Sequence, residues 1–125
     1  MKRHEAREAA LERLYEADQR NAAPNTSDLG KRASELVTGV WGERESLDEA
    51  IGAASRGWRV ARMPPVDRNI LRMAVWELRH HERTPVPVII SEAVRLAKAY
   101  STGRSGGFVN GVLSNMTSER PVASG

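Results

Sequence analysis

The sequence predicts an all-α protein, a compact helical bundle of about six or seven helices. Six segments carry apolar residues at three- and four-residue spacing, which is the pattern of a helix with one buried face. No segment alternates apolar and polar residues over the length of a strand, and only residues 86–90 have notable strand propensity. Segments rich in proline or glycine separate the helical patterns, so we expect helices joined by short connections.

The first three helices are predicted in the N-terminal half of the chain. The first covers residues 4–20 and is ended by residues 21–25, which include Pro24. The second is capped by Ser27 or Asp28 and ends near Gly42, and a shorter third helix follows. Their expected buried positions are Ala10, Leu11, Leu14 and Ala17, then Leu29, Ala33, Leu36, Val37 and Val40, then Leu47, Ala50, Ile51 and Ala54.

Proline pairs mark the next two helices. Pro64 and Pro65 stop the preceding segment and start a fourth helix, and Pro85 and Pro87 open a fifth, because proline is tolerated in the first helical turn. The loop at 101–107 separates the fifth helix from a sixth that starts at Phe108. The expected buried positions are Val66, Ile70, Leu71, Ala74 and Leu78, then Val86, Ile89, Ile90, Ala93, Val94 and Ala97, then Phe108, Val109, Val112, Leu113 and Met116.

Length and composition bound the class of protein. A chain of 125 residues is long enough for one domain with its own core, which we place at 1–117, followed by a flexible tail at 118–125. The absence of cysteine excludes disulfides and thiolate metal sites and indicates a reducing cytosol. No apolar run approaches the roughly 20 residues that span a membrane, so we expect a cytoplasmic protein with no membrane partner.

The charge leaves the class of partner open. The formal net charge is +3, and almost all basic residues are arginine, with lysine only at positions 2, 31 and 98. Arginine suits phosphate because its planar fork donates two hydrogen bonds, but a GC-rich genome also produces arginine-rich proteins.

The first helix breaks a local rule. Arg3 and Arg7 fall on the same side as Ala10 and Leu14, so burial of the whole helix would point two guanidinium groups into the core. We therefore expect its first turns to project past the edge of the bundle toward a partner. A helix N-terminus also disfavours cations, by about 0.3–1 kcal/mol each, unless a phosphate binds there. The alternative is that these are solvated residues on a frayed end.

An aromatic residue stands at the start of the sixth helix. Phe108 is the only phenylalanine, and an aromatic ring at such an edge can stack an unpaired base. The alternative is a core residue that closes the end of the bundle. Arg104 lies four residues before it and could hold phosphate.

Four segments together resemble the NusB family of bacterial transcription antitermination factors. VDRNILRMAVWEL (66–78), PVPVIISEAVRLAKAY (85–100) and GFVNGVLSNM (107–116) resemble its C-terminal half, and RHEAREAALERLYEADQR (3–20) resembles its arginine-bearing first helix. The resemblance spans nearly the whole chain and implies a fold of two packed three-helix subbundles.

The resemblance also implies a function. Members of the family bind the boxA element of nascent RNA together with the ribosomal protein NusE, and help RNA polymerase, through the Nus complex, to resist termination on ribosomal RNA operons. By residue match, RNA contacts are expected from Lys2, Arg3, Arg7, Arg104 and Phe108. Tyr15 and Asp67 are the expected contacts with NusE; the alternative for Asp67 is that it only caps the fourth helix. Arg72 and Glu77 are expected to form internal salt bridges.

Two other functions stay open at this point. A homodimeric interaction module could close the arginine face and bind RNA weakly, or the chain could be an accessory domain of an enzyme that modifies ribosomal RNA. We expect no catalytic activity, because no arrangement of serine, histidine and acid stands out. We expect no cofactor, and the GRSGGFVNG run is no nucleotide site, because it lacks the GK[ST] ending of a phosphate loop and follows a helix rather than a strand. His80 and His81 diverge by 100° on a helix, so we expect no metal site there.

Overall fold

The computed structural model describes residues 3–121 of the chain. These residues form six α-helices and two short 3₁₀ turns and contain no strand, which confirms the predicted all-α class. The helices are α1 (Arg3–Arg20), α2 (Lys31–Gly42), α3 (Arg44–Ala54), α4 (Pro65–His80), α5 (Val86–Tyr100) and α6 (Ser105–Ser114), and the 3₁₀ turns are Val60–Arg62 and Thr117–Glu119. No helix in this part of the chain is both long and apolar enough to cross a membrane.

Helix α4 is the centre of the bundle. It packs against each of the other five helices. Because neighbours surround it, both its apolar and its polar side chains are buried, from Asn69 to Leu78 without interruption. Its N-terminal end has Pro65 in the first turn, as the sequence predicts.

The polar residues of α4 bind carboxylates on the neighbouring helices. Arg72 donates hydrogen bonds from Nε and Nη2 to the two carboxylate oxygens of Asp48 on α3, over 2.6 and 2.7 Å. Arg68 donates to Asp18 on α1 over 2.9 and 2.8 Å. The expected internal salt bridge of Arg72 is therefore confirmed. Together with the apolar packing, these ion pairs hold α1 and α3 against α4.

The predicted start of α2 is wrong by a few residues. The helix begins at Lys31 after Gly30, with no side-chain cap, whereas Ser27 or Asp28 was expected to cap it. Asp28 instead accepts hydrogen bonds from the guanidinium group of Arg13 over 2.8 and 3.0 Å. The predicted end at Gly42 is confirmed.

The start of α6 also differs from the prediction. The helix begins at Ser105, so Gly106 and Gly107 belong to its first turn rather than to a loop. A Cβ atom on Gly106 would lie 3.1 Å from the side chain of Lys98, which shows that α5 and α6 approach closely here. Gly106 therefore allows α6 to pack closely on α5, whereas Gly107 faces open space.

The start of the predicted tail packs on the bundle. Glu119 accepts hydrogen bonds from Arg79 on α4 over 2.9 and 2.7 Å, and Arg120 donates to the backbone carbonyls of His81 and Thr84. The expected flexible tail at 118–125 is thus attached to the end of α4 through residues 119 and 120. Residues 122–125 lie outside the described part.

Candidate nucleic-acid interface

Arg7 lies inside the bundle rather than at its edge. Its side chain is 7% exposed and makes a two-pronged contact with Glu77 on α4, with Nε–Oε2 at 3.0 Å and Nη2–Oε1 at 2.8 Å. Its third nitrogen, Nη1, donates to Glu92 on α5 over 3.2 Å. The expectation that Arg7 projects toward a partner is therefore wrong, because burial in the bundle is compensated by two carboxylates.

Both members of this ion pair stay charged. Burial works against the charged form of Glu77, but hydrogen bonds from His81 and Arg7, and the charge of Arg7, hold the pKa of its carboxyl below the usual value of 4.5. Burial likewise opposes the charge of Arg7, and contact with Glu77 outweighs it and raises its pKa. The expected internal salt bridge of Glu77 is confirmed. It joins α1 to α4 one helical turn after Arg3.

Arg3 lies on an open groove at this end of the molecule. It is exposed, one turn before Arg7, and forms no ion pair with another described residue. The groove has a volume of about 710 Å³ and lies between the first turns of α1 and α2 and the end of α4. Its lining residues are Arg3, Lys31, Arg32, Glu35, His80, His81, Glu82, Arg83 and Thr84. Lys2 lies outside the described residues.

Three basic residues of this groove were not predicted as candidates. Lys31, Arg32 and Arg83 are exposed, and no described residue forms an ion pair with them. A signal was present, because Lys31 and Arg32 start a helix, where the dipole disfavours cations just as it does at Arg3. The two glutamates on the groove reduce but do not cancel its positive charge. This surface can attract phosphate groups.

Arg104 and Phe108 lie at the other end of α4. Arg104 immediately precedes α6 and is exposed. Phe108, one turn later, is half-buried and packs against the core, while its ring contacts Trp58 edge to face with 5.5 Å between centroids. Phe108 thus combines features of both expectations, a core contact and an aromatic ring at the bundle edge.

Asp67 holds this second end together and is not on the surface. It is 3% exposed. Its carboxylate accepts hydrogen bonds from the hydroxyls of Ser101, over 2.5 Å, and Ser105, over 2.9 Å, which flank the loop between α5 and α6. The expectation that Asp67 meets a protein partner does not fit this burial, because both oxygens are occupied inside the chain. Asp67 instead fixes the loop that carries Arg104.

The predicted RNA contacts therefore fall into two groups. Glu77, which holds the α1 end, and Asp67, which holds the α6 end, are ten residues apart on α4, or about 15 Å along the helix axis. Arg3 lies beyond the first point and Arg104 beyond the second. One phosphate cannot reach both groups, so a nucleic acid that contacts both must run along the molecule.

Tyr15 lies on a third surface. It is 40% exposed and lines a groove of about 450 Å³ between α1 and the end of α5. Tyr100 is 51% exposed on the same groove, and Glu8 and Glu12 form its rim. Aromatic rings with acidic neighbours form a surface suited to a basic protein, because interface cores favour tyrosine and the carboxylates complement the partner's charge.

Histidines 80 and 81 are occupied by contacts within the chain. Both rings pack on Trp76, with centroid distances of 4.7 and 5.1 Å. His80 lies 2.6 Å from Glu43, and His81 lies 3.2 Å from Glu77. Across residues 3–121 no three histidine or acidic side chains are grouped so as to hold a metal ion.

The fold and these surfaces define a class: a small all-α protein with basic residues at both ends of a central helix and an aromatic, acidic groove on α1. The model of the NusB family matches residues 4–118. This match covers nearly the whole chain, and the protein therefore belongs to the NusB family.

Similar proteins agree with this family. A transcription antitermination protein NusB of Symbiobacterium thermophilum is 40% identical, with 93% of this chain and 89% of the relative covered. One from Anaeromyxobacter dehalogenans is 42% identical, with 98% and 94% covered.

Solved structures extend the likeness to the fold. NusB of T. maritima superposes with a TM-score of 0.84 at 30% identity, covering 97% of this chain and 94% of that one. A structure of the antitermination factors NusB and NusE in complex with double-stranded RNA contains a chain with a TM-score of 0.77 at 30% identity, covering 94% and 98%.

Proposed function

We propose that this protein is a transcription antitermination factor that binds boxA-type single-stranded RNA together with the ribosomal protein NusE. The observation that carries the proposal is the family match over residues 4–118. The similar structure that contains NusB, NusE and double-stranded RNA supports NusE and RNA as the partners. In this role the protein acts in the cytoplasm as a non-catalytic adaptor that links RNA to RNA polymerase through the Nus complex.

The RNA contacts are proposed at the two basic ends of the bundle. Arg3 contributes to the first end with the unpaired cations of its groove, and Lys2 would extend it. Arg104 and Phe108 contribute to the second end, where the arginine can hold phosphate and the ring edge can meet a base. The exposure of Arg3 and Arg104, and the absence of ion pairs between them and other described residues, support this assignment.

Arg7 and Asp67 are proposed to act through their neighbours. Arg7 ties α1 to α4 and α5, which sets the position of Arg3 over the groove. Asp67 holds the serines that flank the α5–α6 loop, which sets the position of Arg104. Neither side chain is exposed enough to contact a partner, so both are positioning residues in this proposal.

NusE is proposed to dock on the groove that Tyr15 and Tyr100 share. The exposed carboxylate of Glu12 on its rim supports a basic partner, whereas Glu8 on the same rim already pairs with Arg95 over 2.9 Å. Tyr100 was not a candidate from sequence, and it lies on the same surface as Tyr15 because α1 and α5 both pack against α4.

A titration of labelled boxA RNA tests the proposal. Fluorescence polarisation compares boxA with a scrambled RNA and with an RNA duplex, each with and without NusE. We expect tighter binding of single-stranded boxA that strengthens when NusE is present. Equal weak binding of all three RNAs, with or without NusE, would contradict the proposed function and favour the homodimeric interaction module.

Two variants separate the proposed surfaces. Arg3→Ala should weaken RNA binding with or without NusE, whereas Tyr15→Ala should remove only the strengthening by NusE. Arg20→Ala is the matched control for charge, because Arg20 is an exposed α1 arginine already paired with Glu16 over 3.0 Å. If Arg20→Ala weakens boxA binding as much as Arg3→Ala, the assignment of Arg3 fails.

A further inference from the structure

Trp58 is a large apolar side chain left on the surface. It is 55% exposed, whereas Trp76 is 6% exposed and Trp41 is half-buried with the guanidinium group of Arg44 over its ring. An isolated exposed aliphatic residue needs no explanation, but a tryptophan in water forgoes the burial that its size would give. The exposure of Trp58 is therefore explained either by a structural role of its ring or by a ligand that covers it.

The segment that carries Trp58 is firmly attached to the bundle. Arg68 on α4 donates hydrogen bonds to the backbone carbonyls of Val60, Ala61 and Met63, while it also pairs with Asp18. Met63 is 2% exposed. The exposed ring of Trp58 thus lies just before a segment that is attached to α4.

The backbone turns sharply just before Trp58. Arg56 has φ 44° and Gly57 has φ 93°, both in the left-handed region. This conformation is unfavourable for a residue with a side chain such as Arg56, and such positions are often found at binding sites. The turn is the local reason why Trp58 does not continue into the core with Ile51 and Ser55.

Three arginines close to Trp58 in the sequence have no ion-pair partner among the described residues. Arg56, Arg59 and Arg62 are exposed, and no described residue forms an ion pair with any of them. By contrast, seven arginines elsewhere in the described chain form ion pairs: Arg7, Arg13, Arg20, Arg68, Arg72, Arg79 and Arg95. The lack of carboxylate partners here leaves these cations available for phosphate.

The same patch continues into α6. The ring of Phe108 lies 5.5 Å from that of Trp58 at an interplanar angle of 62°. Arg104 is one helical turn from Phe108, is also exposed and forms no ion pair within residues 3–121. Gly57, Trp58, Arg59 and Arg62 line a shallow groove of about 310 Å³ on this surface.

We propose that Trp58, with Arg56, Arg59 and Arg62, forms a stacking site for one unpaired base of a single-stranded RNA, continuous with Arg104 and Phe108. An aromatic ring for the base, with arginines for the flanking phosphates, is the combination that single-strand binders use. The proposal rests on the proposed function for its class of ligand, but not on boxA or on NusE. The competing structural explanation is that Trp58 only covers the ring of Phe108.

Intrinsic fluorescence tests the stacking directly. The full-length protein alone is titrated at low salt with an oligouridine 12-mer, which lacks both boxA and secondary structure. Stacking of uracil on Trp58 should quench the emission of the wild type and of Trp41→Phe, and the quench should disappear in Trp58→Phe. No quench in the wild type, or an equal quench in Trp58→Phe, overturns the proposal.

Affinity and salt dependence give an independent readout. Polarisation with labelled oligouridine should show a roughly 5-fold or greater loss for Trp58→Ala, since a base on an aromatic ring contributes about that much or more. If Trp58→Ala does not fold, Arg59→Ala/Arg62→Ala replaces it. That double variant should reduce the slope of log K against log salt by about 1.4, at about 0.7 for each phosphate contact, while Arg20→Ala leaves it unchanged. An unchanged slope in the double variant overturns the proposal.

These experiments separate the two proposals. A boxA preference that strengthens with NusE but is accompanied by no Trp58 quench rejects the stacking site and leaves the antitermination role. A Trp58 quench without any boxA preference rejects the antitermination role and leaves a general single-strand site.

Discussion

Arg7 and Glu77 show how one residue pair can be essential to the fold while it looks like a surface feature in the sequence. Removal of Arg7 would leave the carboxylate of Glu77, 5% exposed, without its main partner. Breaking a buried pair by removing one member is costlier than replacing both, so we expect Arg7→Ala to reduce the free energy of unfolding by about 3–5 kcal/mol. Urea denaturation measures this loss.

Two controls accompany Arg7→Ala. Arg3→Ala, on the same helix but exposed, should change the free energy of unfolding by less than about 0.5 kcal/mol. Arg7→Met/Glu77→Leu removes both charges and should recover much of the lost stability. If Arg7→Ala unfolds at the same urea concentration as the wild type and weakens RNA binding as Arg3→Ala does, Arg7 is a direct contact after all.

The dependence of stability on acid pH should reveal the contribution of the Glu77 carboxylate to the fold. Its pKa is lowered in the folded protein relative to 4.5, so the stability it contributes is complete above about pH 4.5 and is lost as the pH falls through the lowered value. Glu77→Gln should therefore be less stable than the wild type at neutral pH, and the difference should shrink between about pH 5 and pH 3. Thermal unfolding across this range measures it, and a difference that does not vary with pH would contradict the lowered pKa.

The sequence reveals an arginine on an apolar stripe but not its partner. The carboxylate that receives Arg7 is 70 residues away in the chain, and only the packing of α1 on α4 brings the two together. The same holds for Asp67, whose first-turn position suggests a cap although its partners are two serines more than 30 residues later. Three residues chosen from the sequence are exposed, as the roles proposed for them require: Arg3, Arg104 and Tyr15.

At the scale of helices, the α2–α4 crossing depends on a missing side chain. A Cβ atom on Gly39 would lie 2.3 Å from the ring of Trp76, which is held in place by a hydrogen bond from its Nε1 to Glu43 over 3.1 Å. We expect Gly39→Ala to reduce the free energy of unfolding by about 1–3 kcal/mol, since the ring and backbone must move.

Gly42→Ala is the matched control in the same helix. Its added methyl group meets nothing within 4 Å, so the change should be neutral or slightly stabilising because alanine favours helix more than glycine. Chemical denaturation of both variants measures the difference. Equal stabilities would mean that α2 can move away from Trp76 without cost.

Apolar spacing predicts all six helices, but local signals predict their ends less well. The end of α2 at Gly42 and the start of α4 at Pro65 each follow from the backbone properties of that single residue. The starts of α2 and α6 do not follow from such local properties. Asp28 accepts a hydrogen bond from Arg13 instead of capping α2, and Ser105, at the start of α6, donates one to Asp67. In both cases a contact with another helix overrides the local preference.

At the scale of the whole molecule, α4 separates the two basic ends. Its 16 residues span about 24 Å, with Arg3 and Arg83 beyond its C-terminal end and Arg59 and Arg104 near its N-terminal end. Phosphates on one strand of a duplex are about 3.4 Å apart, so a stacked strand needs on the order of seven nucleotides to bridge this distance. The RNA length at which both ends engage is therefore a property of the fold.

This geometry predicts how length and charge combine. With a 12-nucleotide RNA, Arg3→Ala/Arg83→Ala and Arg59→Ala/Arg104→Ala should each reduce the salt slope by about 1.4, and their combination by about twice that, because distant sites without shared partners act additively. A stacked tetranucleotide reaches only one end, so its wild-type slope should already be smaller. Polarisation at several salt concentrations measures all of these slopes. If the 12-mer responds to charge removal at one end only, RNA does not run along the molecule, and the unpaired arginines of the other end serve another ligand.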